Sequence, residues 1–320
     1  MDIGVVIVTY NRKEKLMETL NQFSRQTKSP LYVMVVNNAS TDQTEEVLKT
    51  WQKEKESFEK IVLNLEENTG GSGGFHEGLK KSLSLGAKWV WVSDDDAVPE
   101  PDAIEAASNY LEKSKENLGD ISAICGQVIN YGEIDTNHRK NYISKGIRII
   151  EKPVPEEEYR KETFEINAFS YVGTIISRDK MRQVGVTLKE YFIWWDDTEH
   201  SLRLSKFGKI ICVPEIRVHH DVGSSKFEVT WKTYYGFRNM TDMYRRHMPK
   251  RCFMYFSFGV IIKTVLFPLV RKDRIEDRLL KKAFWDAWNG KFGIDPVYRP
   301  GWKYERETYT YGVKDKIDKV

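Results

Sequence analysis

The sequence predicts an α/β fold built on a mostly parallel central sheet, followed by a mainly helical, basic and aromatic-rich C-terminal extension. Three observations carry this. Short apolar runs recur from Ile3, Leu31, Ile61 and Lys88, and the first, β-branched and without a polar break, has the pattern of a strand buried on both faces. Helical patterns separate the first runs at the spacing a parallel crossover needs. After about residue 225 the chain turns to long, aromatic, cationic segments.

Ile3 to Thr9 (IGVVIVT) is the first strand and ends at Tyr10-Asn11-Arg12. Leu16, Leu20 and Phe23 then recur at helical spacing until Ser29-Pro30, and Leu31 to Val36 is the second strand. Asn37 to Asp42 (NNASTD) is a turn rich in side-chain acceptors, with Thr41 or Asp42 expected to cap a helix through Val47 and Leu48. Ile61 to Leu65 makes the third strand. Asn68 to Phe75 (NTGGSGGF) is expected to be a glycine-rich loop before a helix that starts near His76. Lys88 to Ser93 is the fourth strand and runs directly into Asp94-Asp95-Asp96. Ligand sites of open α/β sheets lie beyond the carboxyl ends of strands, where these polar turns fall. Ile121 to Val128, Phe169 to Ser177 and Ile210 to Pro214 are further expected strands. Glu151 to Glu165 is expected to be a charged surface loop, and Asp196 to start a helix.

With 40% apolar and 30% charged residues in 320, and a mean hydropathy of −0.54, the composition excludes a disordered chain or a polytopic membrane protein. No basic n-region or cleavage pattern follows Met1, so a cytoplasmic location is expected. Cys125, Cys212 and Cys252 are scattered through apolar surroundings, which fits buried thiols rather than a disulfide scaffold or zinc ribbon. The net charge of +3 hides an asymmetry: residues 226–320 hold 21 Lys and Arg against 11 Asp and Glu, whereas residues 1–225 hold 29 against 36. One part is suited to an anionic surface, the other to a cation or substrate. Cys252 to Val270 contains a single charge, Lys263, between basic clusters at Arg245, Arg246, Lys250 and Arg251 and at Arg271, Lys272 and Arg274. A central Lys disfavours a spanning helix, so a helix lying on an anionic membrane surface is expected, the competing reading being a helix buried internally or in a homo-oligomer.

Three adjacent carboxylates repel one another unless a cation joins them, and a divalent metal is the natural partner of Asp94-Asp95-Asp96. Alternation along extended chain lets Asp94 and Asp96 converge while Asp95 faces away. The glycines of NTGGSGGF permit close backbone approach to a ligand, although neither the dinucleotide nor the P-loop fingerprint is present. Trp194-Trp195-Asp196-Asp197-Thr198-Glu199 joins two large rings to three carboxylates: ring faces pack on the C–H face of a sugar, and a neighbouring carboxylate takes a hydroxyl proton. His219-His220-Asp221 follows a strand, and a neutral imidazole there would complete a metal site.

Taken together, VIVTYNR (Val6–Arg12), VVNNASTD (Val35–Asp42), NTGGSGGF, DDDA (Asp94–Ala97), WWDDTEHSLR (Trp194–Arg203) and HHDVG (His219–Gly223) resemble the family-2 glycosyltransferases of GT-A fold, most of all bacterial galactofuranosyltransferases and related rhamnosyltransferases. The resemblance covers roughly residues 1–225 and implies a GT-A catalytic domain there, with residues 226–320 as a helical region for the acceptor or a membrane surface. It places Thr9, Tyr10, Arg12, Asn37, Asn38, Gly70, Gly71, Gly73, Gly74, Asp94 and Asp95 around a nucleotide-sugar donor, with Asn37 standing where many members carry Asp. It implies Mn2+ or Mg2+ held by Asp94, Asp96 and His220, with His219 as the substitute ligand. Asp197 matches the catalytic base, while Trp194, Trp195, Asp196, Glu199 and His76 fall to the acceptor. The implied reaction is an inverting transfer, best matched to UDP-galactofuranose with dTDP-rhamnose as the alternative, to a glycan or lipid-linked acceptor in cell-surface polysaccharide synthesis at the inner face of the membrane. Two other readings are weaker. A nucleotidyltransferase usually shows a basic glycine-rich loop where Thr9 to Arg12 has none, and a nucleic-acid binder would not place Cys252 to Val270 inside its basic region.

Overall fold

The computed structural model describes residues 2–223, 228–266 and 275–304; Phe267 to Val270 and the Arg271, Lys272 and Arg274 border lie outside the described residues. The four apolar runs form β1 (Ile3–Thr9), β2 (Tyr32–Asn37), β3 (Glu59–Asn64) and β4 (Trp89–Asp94), with β3 the partly exposed edge strand. All pair in parallel, with β1 between β2 and β4. The sheet continues through β5 (Val98–Pro99), β6 (Ile121–Asn130), β7 (Glu133–Ile134), β10 (Phe164–Ile166), β12 (Thr174–Ser177) and β13 (Lys209–His219), while β8 (Arg139–Lys145), β9 (Arg148–Pro153) and β11 (Ala168–Phe169) make a small antiparallel sheet. The main order is β10-β13-β6-β12-β4-β1-β2-β3. Strand β12 runs antiparallel to β4 and β6 and joins the parallel β1–β4 block to the parallel β6–β13 pair.

Alternation along β1 explains the layers. Ile3, Val5 and Ile7 pack with Leu16, Leu20 and Phe23 of α1 (Lys13–Ser24), Leu48 of α2 (Thr44–Trp51) and Ile104 of α4 (Ala103–Lys113). Val6 and Val8 face Phe75 and Leu79 of α3 (Gly70–Ser82) on the other side. After α5 (Arg178–Val184) and α6 (Asp196–Leu204), the C-terminal part supplies α7 (Trp231–His247), α8 (Lys250–Ile261) and α9 (Ile275–Trp288). Tyr234, Tyr235, Leu279 and Ala283 pack with Phe192 of the preceding part in a separate aromatic core. All three cysteines are buried free thiols. Among the described residues no helix is long and apolar enough to cross a membrane.

Several expectations need correction. The NTGGSGGF segment is not a loop: α3 begins at Gly70, whose φ of +72° starts the turn, so the glycines occupy the helix's first turns. The reason is packing. A Cβ on Gly74 would stand 2.5 Å from Val8 Cγ1, and one on Gly78 2.5 Å from Val6 Cγ1, so α3 lies closer to the sheet than side chains allow. Glu151 to Glu165 is not a plain loop either. It holds the end of β9, a 3-10 turn over Glu156–Arg160 and the start of β10, anchored by buried Tyr159 and Phe164. Phe169 to Ser177 is broken into β11 and β12 around Gly173 (φ +62°), and β13 extends to His219. Helix α2 starts at Thr44, whose N–H donates to Asp42 Oδ1 at 3.0 Å.

The α3 packing gives a direct test. Gly74→Ala must move the helix off Val8, and overpacking of this kind costs about 1–3 kcal/mol. Urea unfolding is expected to show that loss, and an unchanged midpoint would refute the close-packing account.

Candidate functional site

The aspartate triplet divides where β4 ends at Asp94 and the chain turns through Asp95 and Asp96. Asp95 turns inward, where Oδ2 accepts from the Thr9 hydroxyl at 2.7 Å and Oδ1 from Arg12 Nη1 at 2.9 Å; its carbonyl accepts from the Thr19 hydroxyl at 2.9 Å. Asp94 and Asp96 face a cleft of about 890 Å³ instead. Arg12 Nη1 also lies 2.9 Å from Asp96 Oδ2, and His220 Nε2 lies 3.4 Å from Asp96 Oδ1. Burial, followed by the nearby Asp96, Asp95 and Asp197 charges, pushes the Asp94 acid up to about 7 even with His220 opposing. Asp96 is held below the ordinary carboxylate range: burial works against this, but bonding to His220 and Arg12 prevails.

Two carboxylates and an imidazole are a suitable donor set for a divalent cation. The crowding that keeps Asp94 hard to ionise is what such a cation relieves, and His220 Nδ1 is buried without a partner. Among the described residues, no three His, Cys, Asp or Glu side chains already converge as a metal cage. Arg12 and His220 instead occupy the oxygens of Asp96.

The opposite wall is a strained turn. Phe192, Trp194 and Trp195 all have left-handed φ, between +66° and +69°, and Trp195 immediately precedes α6. Helix α7 holds this turn in place. The Asn239 amide donates to the Tyr191, Ile193 and Trp194 carbonyls at 2.9, 2.9 and 3.0 Å, and Arg238 donates to the Glu190 and Tyr191 carbonyls. The turn aims Trp194, Trp195, Asp196 and Asp197 into the cleft that Asp94 and Asp96 also line. Asp197 Oδ1 accepts from the Thr198 N–H at 2.6 Å, yet burial raises the Asp197 acid, and it raises Asp196 further with Asp197 beside it. A raised carboxylate is a better proton acceptor once ionised.

The family model for glycosyl transferase family 2 matches residues 4–185. The chain belongs to this family. It is 36% identical over 264 residues to a galactofuranosyltransferase of Mycolicibacterium smegmatis, covering 81% of this chain and 82% of that one. It is 26% identical to a dTDP-rhamnosyl transferase of Shigella flexneri over 304 residues, 92% and 96% of the two chains. The solved complex of GalNAc-T7 with UDP, GalNAc and Mn2+ matches with a TM-score of 0.60 at 16% identity, over 90% of this chain and 56% of that one. The sheet order and these matches identify a GT-A fold.

Within this family-2 glycosyltransferase the residues singled out by sequence are not all in one place. Arg12, Gly71, Asp94, Asp96, Trp194, Trp195, Asp196, Asp197 and His220 line the cleft. Thr9 and Asp95 lie just beneath, bonded to each other, and Tyr10 is exposed. Asn37 and Asn38 are buried and engaged: Asn37 donates to Asn64 Oδ1 at 2.9 Å, and Asn38 ties Thr69 and Gly70 at the head of α3. Gly70 abuts Phe192, Gly73 backs onto Thr69 and Gly74 onto Val8. His76 donates through Nδ1 to the Thr187 carbonyl at 2.7 Å, away from the cleft lining. Glu199 is buried against Arg203 and His247, bonded at 2.8 and 3.0 Å, and braces α6 on α7. His219 faces Glu100 at 3.2 Å, whereas His220 lines the cleft, with the His138 ring beside it.

Sequence reasoning missed the whole α7 wall: Lys232, Gly236, Phe237 and Met240 line the cleft on one helical face. Their spacing is legible, but nothing local marks that face as part of a site. Lys140 and Tyr142, brought in by β8, were missed for the same reason.

Asn239→Ala removes the amide from three buried carbonyls. Stability is expected to fall by about 1–3 kcal/mol, with a shift in tryptophan emission as Trp194 and Trp195 relax. Unchanged stability and emission would show that the turn holds itself.

Proposed function

We propose that this family-2 enzyme transfers galactofuranose from UDP-galactofuranose to a hydroxyl of a glycan or lipid-linked acceptor, with inversion, in cell-surface polysaccharide synthesis. One observation carries the reading: a single cleft is lined both by Asp94, Asp96 and His220 and by Asp197, Trp194 and Trp195. The first group suits a nucleoside diphosphate leaving group and the second an incoming sugar hydroxyl. In the reaction, Asp197 takes the proton of the acceptor hydroxyl while its oxygen bonds to the anomeric carbon. The bond from that carbon to the diphosphate oxygen breaks, and the diphosphate leaves with the electron pair. Asp94, Asp96 and His220 would hold Mn2+ or Mg2+, which when bound neutralises charge on the diphosphate. Arg12, already turned toward Asp95 and Asp96, offers a second cation there. The division of labour at residue 225 is read as catalytic residues before it and an acceptor wall, built on α7, after it.

The galactofuranosyl relative's 36% identity favours a UDP-linked donor. The rhamnosyl relative, which aligns over nearly its whole length, supports dTDP-rhamnose as the second reading. Incubation with Mn2+ and a panel of sugar nucleotides, measuring free nucleoside diphosphate, separates them: turnover of dTDP-rhamnose without any UDP-sugar would replace the first reading by the second.

Two substitutions test the roles. Asp96→Ala is expected to abolish turnover and to remove the Mn2+ dependence of nucleotide binding seen by calorimetry; full wild-type activity in EDTA would overturn the metal assignment. Asp197→Asn keeps the shape but cannot accept the proton, so transfer should fall by about 10² or more while donor binding persists. Transfer at the wild-type rate would exclude Asp197 as the base.

A further inference from the structure

The outward face of α8 is apolar where a soluble surface helix is normally polar. Met254 is 70% and Phe258 62% exposed, with Tyr255 and Leu266 beside them, while Cys252, Phe253, Ser257 and Thr264 are buried on the opposite face. A second segment, distant in sequence, adjoins it. The Gly146 carbonyl at the β8–β9 hairpin turn accepts from Arg251 Nε at 2.9 Å and approaches Cys252 Sγ at 3.6 Å. That hairpin exposes Ile147 at its tip and Ile143 opposite Ile150 along its strands. Lys145 and Arg148, also paired across the hairpin, are exposed, as are Lys250 and Arg251 at the head of α8. Among the described residues none of these four cations has a carboxylate partner.

Arg245 and Arg246, the other basic residues expected at this border, are committed elsewhere: both ion-pair with the fully buried Asp242, which also accepts from the Tyr191 hydroxyl. Among the described residues of this face, the cations left for an external partner are thus those of the hairpin, of the start of α8, and Lys263 in the turn that follows α8.

We propose that the β8–β9 hairpin and α8 form one docking surface for an anionic lipid bilayer, with the aliphatic and aromatic side chains entering the headgroup region and Lys145, Arg148, Lys250 and Arg251 facing the lipid phosphates. An apolar centre with an unpaired basic rim is complementary to an anionic leaflet. A two-fold contact between copies of the chain would set much of that rim against itself, which disfavours self-association as the use of this face. The cleft opens from the other side of β8, where Tyr142 lines it, so docking leaves it unobstructed by the exposed Ile143 face.

The test is vesicle co-sedimentation of the full chain at low salt, with phosphatidylcholine vesicles containing or lacking phosphatidylglycerol. It uses neither donor nor acceptor, so its result is independent of the reading of the reaction. Wild-type protein should bind only the anionic vesicles. Lys145→Gln with Arg148→Gln, in the hairpin alone, should weaken binding about tenfold or more, since each cation near an anionic leaflet contributes a factor of roughly five; Met254→Ser with Phe258→Ser should do likewise. Unchanged circular dichroism and melting temperature would establish that both variants fold. No wild-type binding to anionic vesicles, or full binding by the hairpin variant, would overturn the proposal. So would a dimer in light scattering that Met254→Ser with Phe258→Ser dissociates.

Discussion

The Asn239 side chain, through one amide group, holds three carbonyls of the turn, those of Tyr191, Ile193 and Trp194, and the shape of the cleft depends on it. Phe192, Trp194 and Trp195 occupy a backbone region that bulky residues avoid, at a cost of about 1–3 kcal/mol each. No local propensity places them there. Hydrogen bonds from Asn239 and Arg238, each contributing about 0.5–1.5 kcal/mol net, and the packing of Phe192 against Tyr235 and Trp231 offset that strain. The result is a helix start whose carboxylates point back at the strand ends. A polar residue of the C-terminal part therefore shapes a turn of the N-terminal part, and the site exists only where the two meet.

The aspartate side of the cleft rests on an electrostatic arrangement just as compact. Three consecutive carboxylates would be unstable if all faced one way; the turn that follows β4 sends Asp95 inward to Thr9 and Arg12 and leaves Asp94 and Asp96 lining the cleft. Arg12 bridges Asp95 and Asp96 through one nitrogen. The β1 terminus and the β4 terminus are thus locked together at the point where a ligand approaches. Because β1 and β4 are neighbours in register, Val8 opposite Asp94, this lock requires no long loop.

Much of this was readable from residues. Apolar runs marked β1 to β4, and in β1 and β2, covered on both faces, no polar break is tolerated; the split of Asp94 and Asp96 from Asp95, expected from strand alternation, is made instead by the turn after Asp94. The glycine segment was misread because flexibility and close packing demand the same residue: only the contact with Val8 and Val6 shows that Gly74 and Gly78 serve a helix. Glu199 was given to the acceptor on its neighbourhood in sequence, but the 3.6-residue period of α6 turns it from Asp197 toward Arg203 and His247. Lys232, Phe237 and Met240 were invisible as site residues because the partner of their helical face lies far earlier in the chain, on a turn whose conformation is itself non-local.

The same distinction governs charge. Segment totals put the negative excess before residue 225 and the positive excess after it, yet surfaces are assembled from side chains that share space rather than sequence. Two of the most prominent cations of the basic part, Arg245 and Arg246, share an ion pair with Asp242 within their own helix, which cancels one of their two charges. Two cations of the acidic part, Lys145 and Arg148, stand on a hairpin joined to α8 through Gly146. The acidic excess of residues 1–225 includes Asp94 and Asp196, which line the cleft, and Asp95, buried beneath it, so these groups add nothing to the exterior. What the exterior presents beside α8 is therefore more basic than the first part's total implies, and less dependent on the second part's arginines than its surplus suggests. Charge becomes informative about a partner only after each group has been assigned to an internal ion pair, to the cleft, or to an open face.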